Sequence, residues 1–404
     1  GAMPKHQSAY RKFHSTETAL VKVYNDLLVA TDQGHVSALC LLDMTAAFDT
    51  VDHELLLMRL ERSFGVQGSA LAWFRSYLTG RTYCAVFGDS VSSIIPVTCS
   101  VPQGSVLGPL LFAIYISPVD NVIAAHRLQF HQYADDTQMY MAVHPSANSP
   151  FDAASHCVSD VSRWFLENGM LLNPSKTEAV LFGTRAQRAK VDMSAGIDVA
   201  GAPVQFSRSV KLLGVTLVRG CNFHTRALRH IRPLINLDAA RMIAQGVVTA
   251  RLDYCNGLLY GTSARNFQRL QIAQNSLARA VCQAPWASSA TELRRSLHWL
   301  PVRQRVDYKL AVIAYKTRQT HVPAYLASLI DDYRPVRTLR SSDQLLLNQP
   351  SVKLALASKA FSVNVPTVWN SLSLECRSAL SLASFKRFLK TKLYNTAYVC
   401  MSPT

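Results

Sequence analysis

The sequence predicts an α+β chain, an antiparallel sheet with packed helices followed by a mainly helical second half. Three observations carry this reading. Residues 36–44 form a continuous apolar run with a single acid, Asp43, at its C-terminal edge, as a buried central strand does. Residues 128–133 and 139–143 are short β-rich runs on either side of Ala134-Asp135-Asp136, which reads as a hairpin whose tight turn carries two acids. From Asn222 onward apolar residues return at helical spacing.

Taken in order, Ser15 or Thr16 caps a helix to about residue 31, with Ala19, Leu20, Val23, Leu27 and Leu28 on one face and Gly34 as its stop. After the Asp43 strand, Asp49 or Asp52 opens a helix to about residue 63. For Asp49, helix capping is as open a reading as catalysis. Residues 69–78 read as a short helix stopped by Gly80, and 82–87 with 91–99 as a hairpin around Gly88-Asp89. The loop 100–105 delivers a helix over about 107–124, with Pro109 tolerated in its first turn. Residues 151–168 have helical periodicity through Val158, Val161, Trp164 and Phe165, closed by Gly169. Strands are expected at 178–182 and 210–217, then helices at 237–254, 262–282, 303–317 and 381–393.

A hydrophobic content of 49% against 17% charged residues in 404 describes a buried globular chain with room for two or three domains. The formal net charge of +16 is unevenly placed. Residues 1–183 hold 11 of the 42 Lys and Arg but 16 of the 26 Asp and Glu, so the remainder holds 31 and 10. An acidic half joined to a strongly basic one suits metal chemistry beside a nucleic-acid track; an idle basic surface is the alternative. Nine scattered cysteines without a Cys-x-x-Cys pair suggest reduced thiols, no structural zinc and an intracellular setting in cytoplasm and nucleus. Neither a secretory signal nor an apolar run of membrane-spanning length is expected. Gly1-Ala2-Met3 resembles an expression scar, so the chain is expected to start at a truncation.

The chemistry lies in the acids. Two adjacent carboxylates at a hairpin tip repel each other and are costly unless a cation sits there, although a solvated Asp-Asp turn is the plainer reading. With Asp43 at a neighbouring strand end, three carboxylates can converge on two Mg²⁺ ions. Such a pair, about 3.5–4 Å apart, stabilises the attacking and leaving oxygens of an in-line phosphoryl displacement. Gln103 could hydrogen-bond a nucleotide there, and Gly104 would let backbone come close to it.

Five motifs in order then resemble those of reverse transcriptases from non-LTR (LINE-type) retrotransposons. They are Leu42-Asp43-Met44-Thr45-Ala46-Ala47-Phe48-Asp49 with Val51-Asp52-His53, Val101-Pro102-Gln103-Gly104-Ser105, Tyr133-Ala134-Asp135-Asp136, Asn173-Pro174-Ser175-Lys176-Thr177, and Leu213-Gly214-Val215. The resemblance implies a right-hand polymerase palm over 36–217, preceded by a remnant of fingers at 1–35. A helical thumb at 218–330 and a C-terminal basic segment at 331–404 would follow. It implies RNA-directed DNA synthesis from deoxynucleoside triphosphates on an RNA template and a DNA primer, with Mg²⁺ or Mn²⁺ held by Asp43, Asp135 and Asp136. Lys176 resembles the lysine near the leaving pyrophosphate; a plain surface lysine is the alternative. Met44, Phe48, Gln103 and Gly104 would meet the nucleotide, Phe48 excluding a ribose hydroxyl unless it is simply core. Leu213 and Gly214 resemble the primer grip, and Arg226, Arg229, Arg265 and Arg269 would hold phosphates.

Two departures qualify this: Ser100 stands where the family usually has Gly, and the segment after Leu217 is short. The fingers hairpin that grips the triphosphate, the Cys/His knuckle and the endonuclease module are not found in this sequence. Two alternatives therefore stay open, a catalytically impaired fragment that still binds nucleic acid and a telomerase- or intron-type relative.

Overall fold

The computed structural model describes residues 3–45, 47–102, 104–147, 149–192, 196–207, 210, 212–213, 225, 228–335 and 344–398. Gly1–Ala19 with Gln33–Val210 form one compact unit, and Leu20–Asp32 with Lys211–Thr404 form the other.

The first unit is built on a five-stranded sheet. Its strands are β1 (Val36–Leu42), β2 (Gln129–Tyr133), β3 (Asp136–Val143), β4 (Glu178–Phe182) and β5 (Phe206–Ser207), in the order β5-β4-β1-β3-β2. Neighbours are antiparallel except β4 and β5. β1 is central and buried at every position but Leu41, which explains its unbroken apolar run. Its neighbours bring Met139, Val143, Ala179 and Leu181 into the same core as Val36, Ala38, Cys40 and Leu42.

Helices cover the sheet. His53–Arg62 starts on Asp52, whose carboxylate accepts from the Leu55 N–H at 2.8 Å, so Asp52 rather than Asp49 is the cap. Gly68–Leu78 follows, and Asp152–Glu167 buries Val158, Val161 and Phe165. The single helix expected at 107–124 is two, Gly108–Tyr115 and Val119–Ala125. Pro118, with no N–H to donate, sits at the join. By length and composition Gly108–Ala125 is apolar enough to cross a membrane, contrary to the sequence expectation. Leu111, Phe112, Tyr115 and Ile116 of that stretch are fully buried in the first unit's core.

A second correction concerns residues 210–217. Val210, Leu212 and Leu213 carry no strand, the other positions lie outside the described residues, and the edge strand is β5.

The second unit is helical. Val302–Thr320 is its buried axis, packed by Phe361–Asn370 and Leu382–Tyr398, with Phe385 stacked on Tyr315 at 4.3 Å. A second cluster joins Leu270 and Leu277 of Ala264–Val281 to Val248, Leu252 and Val302. The helix Leu237–Ile243 continues as a π-helical stretch, Ala244–Thr249. Residues 20–32 of the helix Thr16–Asp32 belong here. Asn25 Oδ1 accepts from the Ser362 N–H, and the Asp32 carboxylate accepts from the N–H groups of Lys353 and Leu354.

Candidate active site

The register of the sheet assembles the acids. In the β1–β3 ladder Leu42 pairs with Thr137, so Asp43, one residue on, lies opposite Asp136. Tyr133 pairs with Asp136, which leaves Ala134 and Asp135 as the two-residue turn between β2 and β3. Asp43, Asp135 and Asp136 therefore meet at one end of the sheet. Asp43 Oδ1 is closed off from solvent with no hydrogen-bond partner. Burial pushes the Asp135 and Asp136 carboxyls up from the ordinary range. The charge of Asp43 adds to the rise at Asp135, and those of Asp135 and Asp43 add to it at Asp136. Both residues still reach solvent at the turn.

The turn is strained and clamped. Ala134 has φ +56°, a left-handed conformation that favours glycine. Gln7, only 1% exposed, secures it by both backbone groups. Its Oε1 accepts from the Ala134 N–H at 2.9 Å, and its Nε2 donates to the Ala134 carbonyl at 3.2 Å. The flanking backbone runs parallel to β2, with Ser8 N–H donating to the Gln132 carbonyl and Gln132 N–H to that of His6. Sequence reasoning gave Gln7 no role, because its partner stands 127 residues away and nothing periodic marks it. Tyr10 was missed as well. It lies close enough to Tyr133 and Asp135 that, after burial, their charges raise its hydroxyl pKa.

The segment carrying Lys176 is tied to Asp43. Asn173 N–H donates to the Asp43 carbonyl at 2.8 Å, and Asp43 N–H donates to Thr177 Oγ1 at 3.3 Å. Lys176 itself is exposed on that turn. Met44 pairs with Leu172 just past the acid, and Phe48 stacks on Phe112 at 4.6 Å. Gly104 is exposed at φ +77°, with open space where a Cβ would stand. Ser100 has φ +93°, so the position expected to need glycine does adopt the left-handed region. It is held there by its own N–H on the Val51 carbonyl and by its carbonyl against His53 Nε2, both at 2.8 Å.

Leu213, Arg229, Arg265 and Arg269 are in the second unit. The Leu213 carbonyl accepts from the Tyr254 hydroxyl at 2.7 Å. Arg229, Arg265 and Arg269 are exposed, the last two one turn apart on Ala264–Val281. Gln103, Gly214 and Arg226 lie outside the described residues. Arg232, a seemingly similar helix-face arginine, is buried and donates to the Val281 and Ile235 carbonyls.

With that geometry set out, the sequence profile described as "Reverse transcriptase (RNA-dependent DNA polymerase)" matches residues 1–217, over half the chain. The chain belongs to the reverse transcriptase family. It is similar to the probable RNA-directed DNA polymerase from transposon BS of Drosophila melanogaster, at 26% identity over 84% of this chain and 39% of that one. The RNA-directed DNA polymerase from mobile element jockey, from the same organism, is 29% identical over 73% and 34%. The probable RNA-directed DNA polymerase from transposon X-element of that fly is 26% identical over 88% and 40%. These relatives are RNA-directed DNA polymerases of transposons and mobile elements, in line with the polymerase motifs. The chain thus spans about two fifths or less of the curated relatives it matches. Among solved structures, apo telomerase from Candida tropicalis aligns at 11% identity over 80% of this chain and 52% of its own, with a TM-score of 0.41.

Reverse transcriptases generally use divalent metal ions. Among the described residues no group of three or more His, Cys, Asp or Glu side chains is drawn together closely enough to hold a metal ion by itself. Mg²⁺ takes only one or two protein carboxylates and completes its shell with water and phosphate oxygens. An open set of three mutually repelling acids, one with an unpaired buried oxygen, fits that requirement.

Proposed function

We propose that this chain is an RNA-directed DNA polymerase of a non-LTR retrotransposon, adding deoxynucleotides to a DNA primer on an RNA template. The reading rests on the register that sets Asp43 opposite Asp136 with Asp135 in the adjoining turn. Asp43, Asp135 and Asp136 would hold two Mg²⁺, or Mn²⁺ in their place, which when bound acidify the primer 3′-hydroxyl and offset triphosphate charge. The hydroxyl would give up its proton to solvent water, its oxygen would bond to the α-phosphorus, the bond to the bridging oxygen of the β-phosphate would break, and pyrophosphate would leave. Lys176 would supply a proton to that leaving group. Phe48, fixed by its stack on Phe112, would stand against the sugar and reject a ribose 2′-hydroxyl, with Met44 beside it. Gln103 and Gly104 would bring polar side chain and open backbone to the nucleotide. Leu213 and Gly214 would grip the primer end, and Arg226, Arg229, Arg265 and Arg269 would hold phosphates.

In this reading residues 1–35 are the fingers remnant, 36–217 the palm, 218–330 the thumb and 331–404 a C-terminal basic segment. The protein works in the cytoplasm and nucleus.

Primer extension on an RNA template with Mg²⁺ tests the proposal. Products are expected from the wild type and none from the Asp135→Asn/Asp136→Asn double variant; no product from either would sink it. Binding to a primer–template should fall linearly in log–log terms as salt rises. A second reading, nucleic-acid binding without synthesis, is favoured by the open arrangement of the acids. Binding without extension would select it.

A further inference from the structure

The second unit holds a pocket of about 500 Å³ that none of the expected site residues lines. Four cations border it, Arg241, Arg305, Lys309 and Lys390, against one acid, Asp253. That acid is already engaged by Arg305, whose Nε and guanidinium tip donate to both carboxylate oxygens at 2.8 and 2.5 Å. Arg241 also stands 3.6 Å from the exposed Asp238 at the rim. The lining thus holds more cations than acids.

Its walls are fixed and aromatic. His298, Trp299 and Tyr308 line it. The 298–301 loop is held by Gln274 Nε2 on the Leu300 carbonyl and the Tyr398 hydroxyl on the Trp299 carbonyl. Gln245, within the π-helical stretch Ala244–Thr249, lines it too, and such widenings are frequent at ligand sites. Two polar atoms of the lining are sealed from solvent without partners, Asn256 Oδ1 and Arg241 Nε. Asn256 is 2% exposed and donates through Nδ2 to Asp253 at 3.3 Å, which leaves its acceptor oxygen unused. An unpartnered buried acceptor is costly unless a ligand N–H or O–H meets it.

We propose that this pocket takes one unpaired nucleotide of single-stranded RNA. Lys390, Lys309 and Arg241 would meet its phosphate, an aromatic wall its base, and Asn256 Oδ1 the ribose 2′-hydroxyl, the group that separates RNA from DNA. The choice of RNA rests on the polymerase reading, whereas the pocket's chemistry does not.

The test is equilibrium binding of the full chain to a fluorescein-labelled twelve-nucleotide RNA in EDTA, where no synthesis occurs. Failure here is thus distinct from failure of the extension assay. Lys390→Glu should weaken binding about tenfold. Lys386→Glu, the same charge change at an exposed position of the same helix outside the pocket, should cost less than about twofold. Asn256→Leu should narrow the preference for RNA over DNA of the same sequence. Equal losses from the two lysine variants would reduce the site to diffuse charge and overturn the proposal. So would equal RNA and DNA affinity in the wild type. So would complete displacement of the RNA by 5′-AMP that itself binds in a Lys390-dependent way, which would reassign the pocket to free nucleotides.

Discussion

The two units treat uncompensated charge in opposite ways. In the second, the described acids that bear on basic side chains are mostly matched: Asp253 by Arg305, Asp332 by Arg318, Glu292 by Arg295, Asp238 by Arg241. What is left over there is positive. In the first unit Glu54 and Asp160 have basic partners, yet Asp43, Asp135 and Asp136, the first of which raises the pKa values of the other two, have no ion pair among the described residues. Folding alone would not keep three like charges together, since each neighbour raises the cost of ionising the next. Surplus charge of one sign in each unit marks where something of the other sign is expected, a cation in one and a polyanion in the other.

Removing one acid sharpens that contrast most. Asp135→Asn should lower primer extension by about 10³-fold or more, because a carboxylate proposed to hold the charge-stabilising ions is lost. The same change should leave the melting temperature in EDTA unchanged or higher at pH 7, because it relieves repulsion with Asp43 and Asp136. A large fall in stability would show that the acids are structural and would break the comparison. The pH dependence follows in sign. Protons and metal ions compete for the same oxygens, and the Asp135 and Asp136 pKa values lie above the usual carboxylate range. The Mg²⁺ concentration giving half-maximal extension should therefore climb as pH falls, beginning above that range.

Gln7 comes next. Gln7→Ala leaves the buried backbone groups of Ala134 without their side-chain partners, an expected loss of about 1–3 kcal/mol. Extension should drop about 10- to 100-fold, as when a supporting shell behind a metal site is removed. Faster amide hydrogen exchange at Ala134 would separate a loosened turn from global unfolding.

Much of this was legible beforehand, for local reasons. β1 announced itself because burial on both faces demands an unbroken apolar run, and Asp43 stood out as the polar end of it. The β2–β3 turn was legible because acids interrupt two β-rich runs. The helix break at Pro118 was hidden by apolar residues continuing through it. Nothing local told Arg232, consumed by carbonyls, from the exposed Arg265. Gln7 was beyond reach, since its importance exists only through a contact made by the folded chain.

Asp307, in the second unit, is an acid governed by burial. Burial raises its carboxyl to about 6 from 3.8, with Arg303 only partly offsetting that. Its folded pKa exceeds the unfolded one, so the folded chain keeps a proton that the unfolded chain releases. Stability from this group is full below about pH 4, is lost as pH rises toward 6, and stays reduced above that. Asp307→Asn should thus stabilise the chain at pH 7.5 by roughly 2 kcal/mol, after discounting for partial exposure, and have little effect at pH 4. Equal melting shifts at both pH values would remove titration as the cause.

The smallest expected effect is at Ser100, the second strained turn. Gln7 grips Ala134 through a side chain, whereas Ser100 is held at φ +93° by its own backbone groups, on Val51 and His53. A Cβ in that region costs about 1–2 kcal/mol, and glycine returns part of the gain through a freer unfolded chain. Ser100→Gly should therefore stabilise by about 0.5–1 kcal/mol, read as a small rise in the denaturation midpoint with an unchanged slope. Extension should change little, because the substitution keeps both backbone hydrogen bonds. If the variant is instead less stable, the Ser100 hydroxyl contributes more than the strain costs, and this loop would resemble the clamped turn more closely than its backbone anchoring implies.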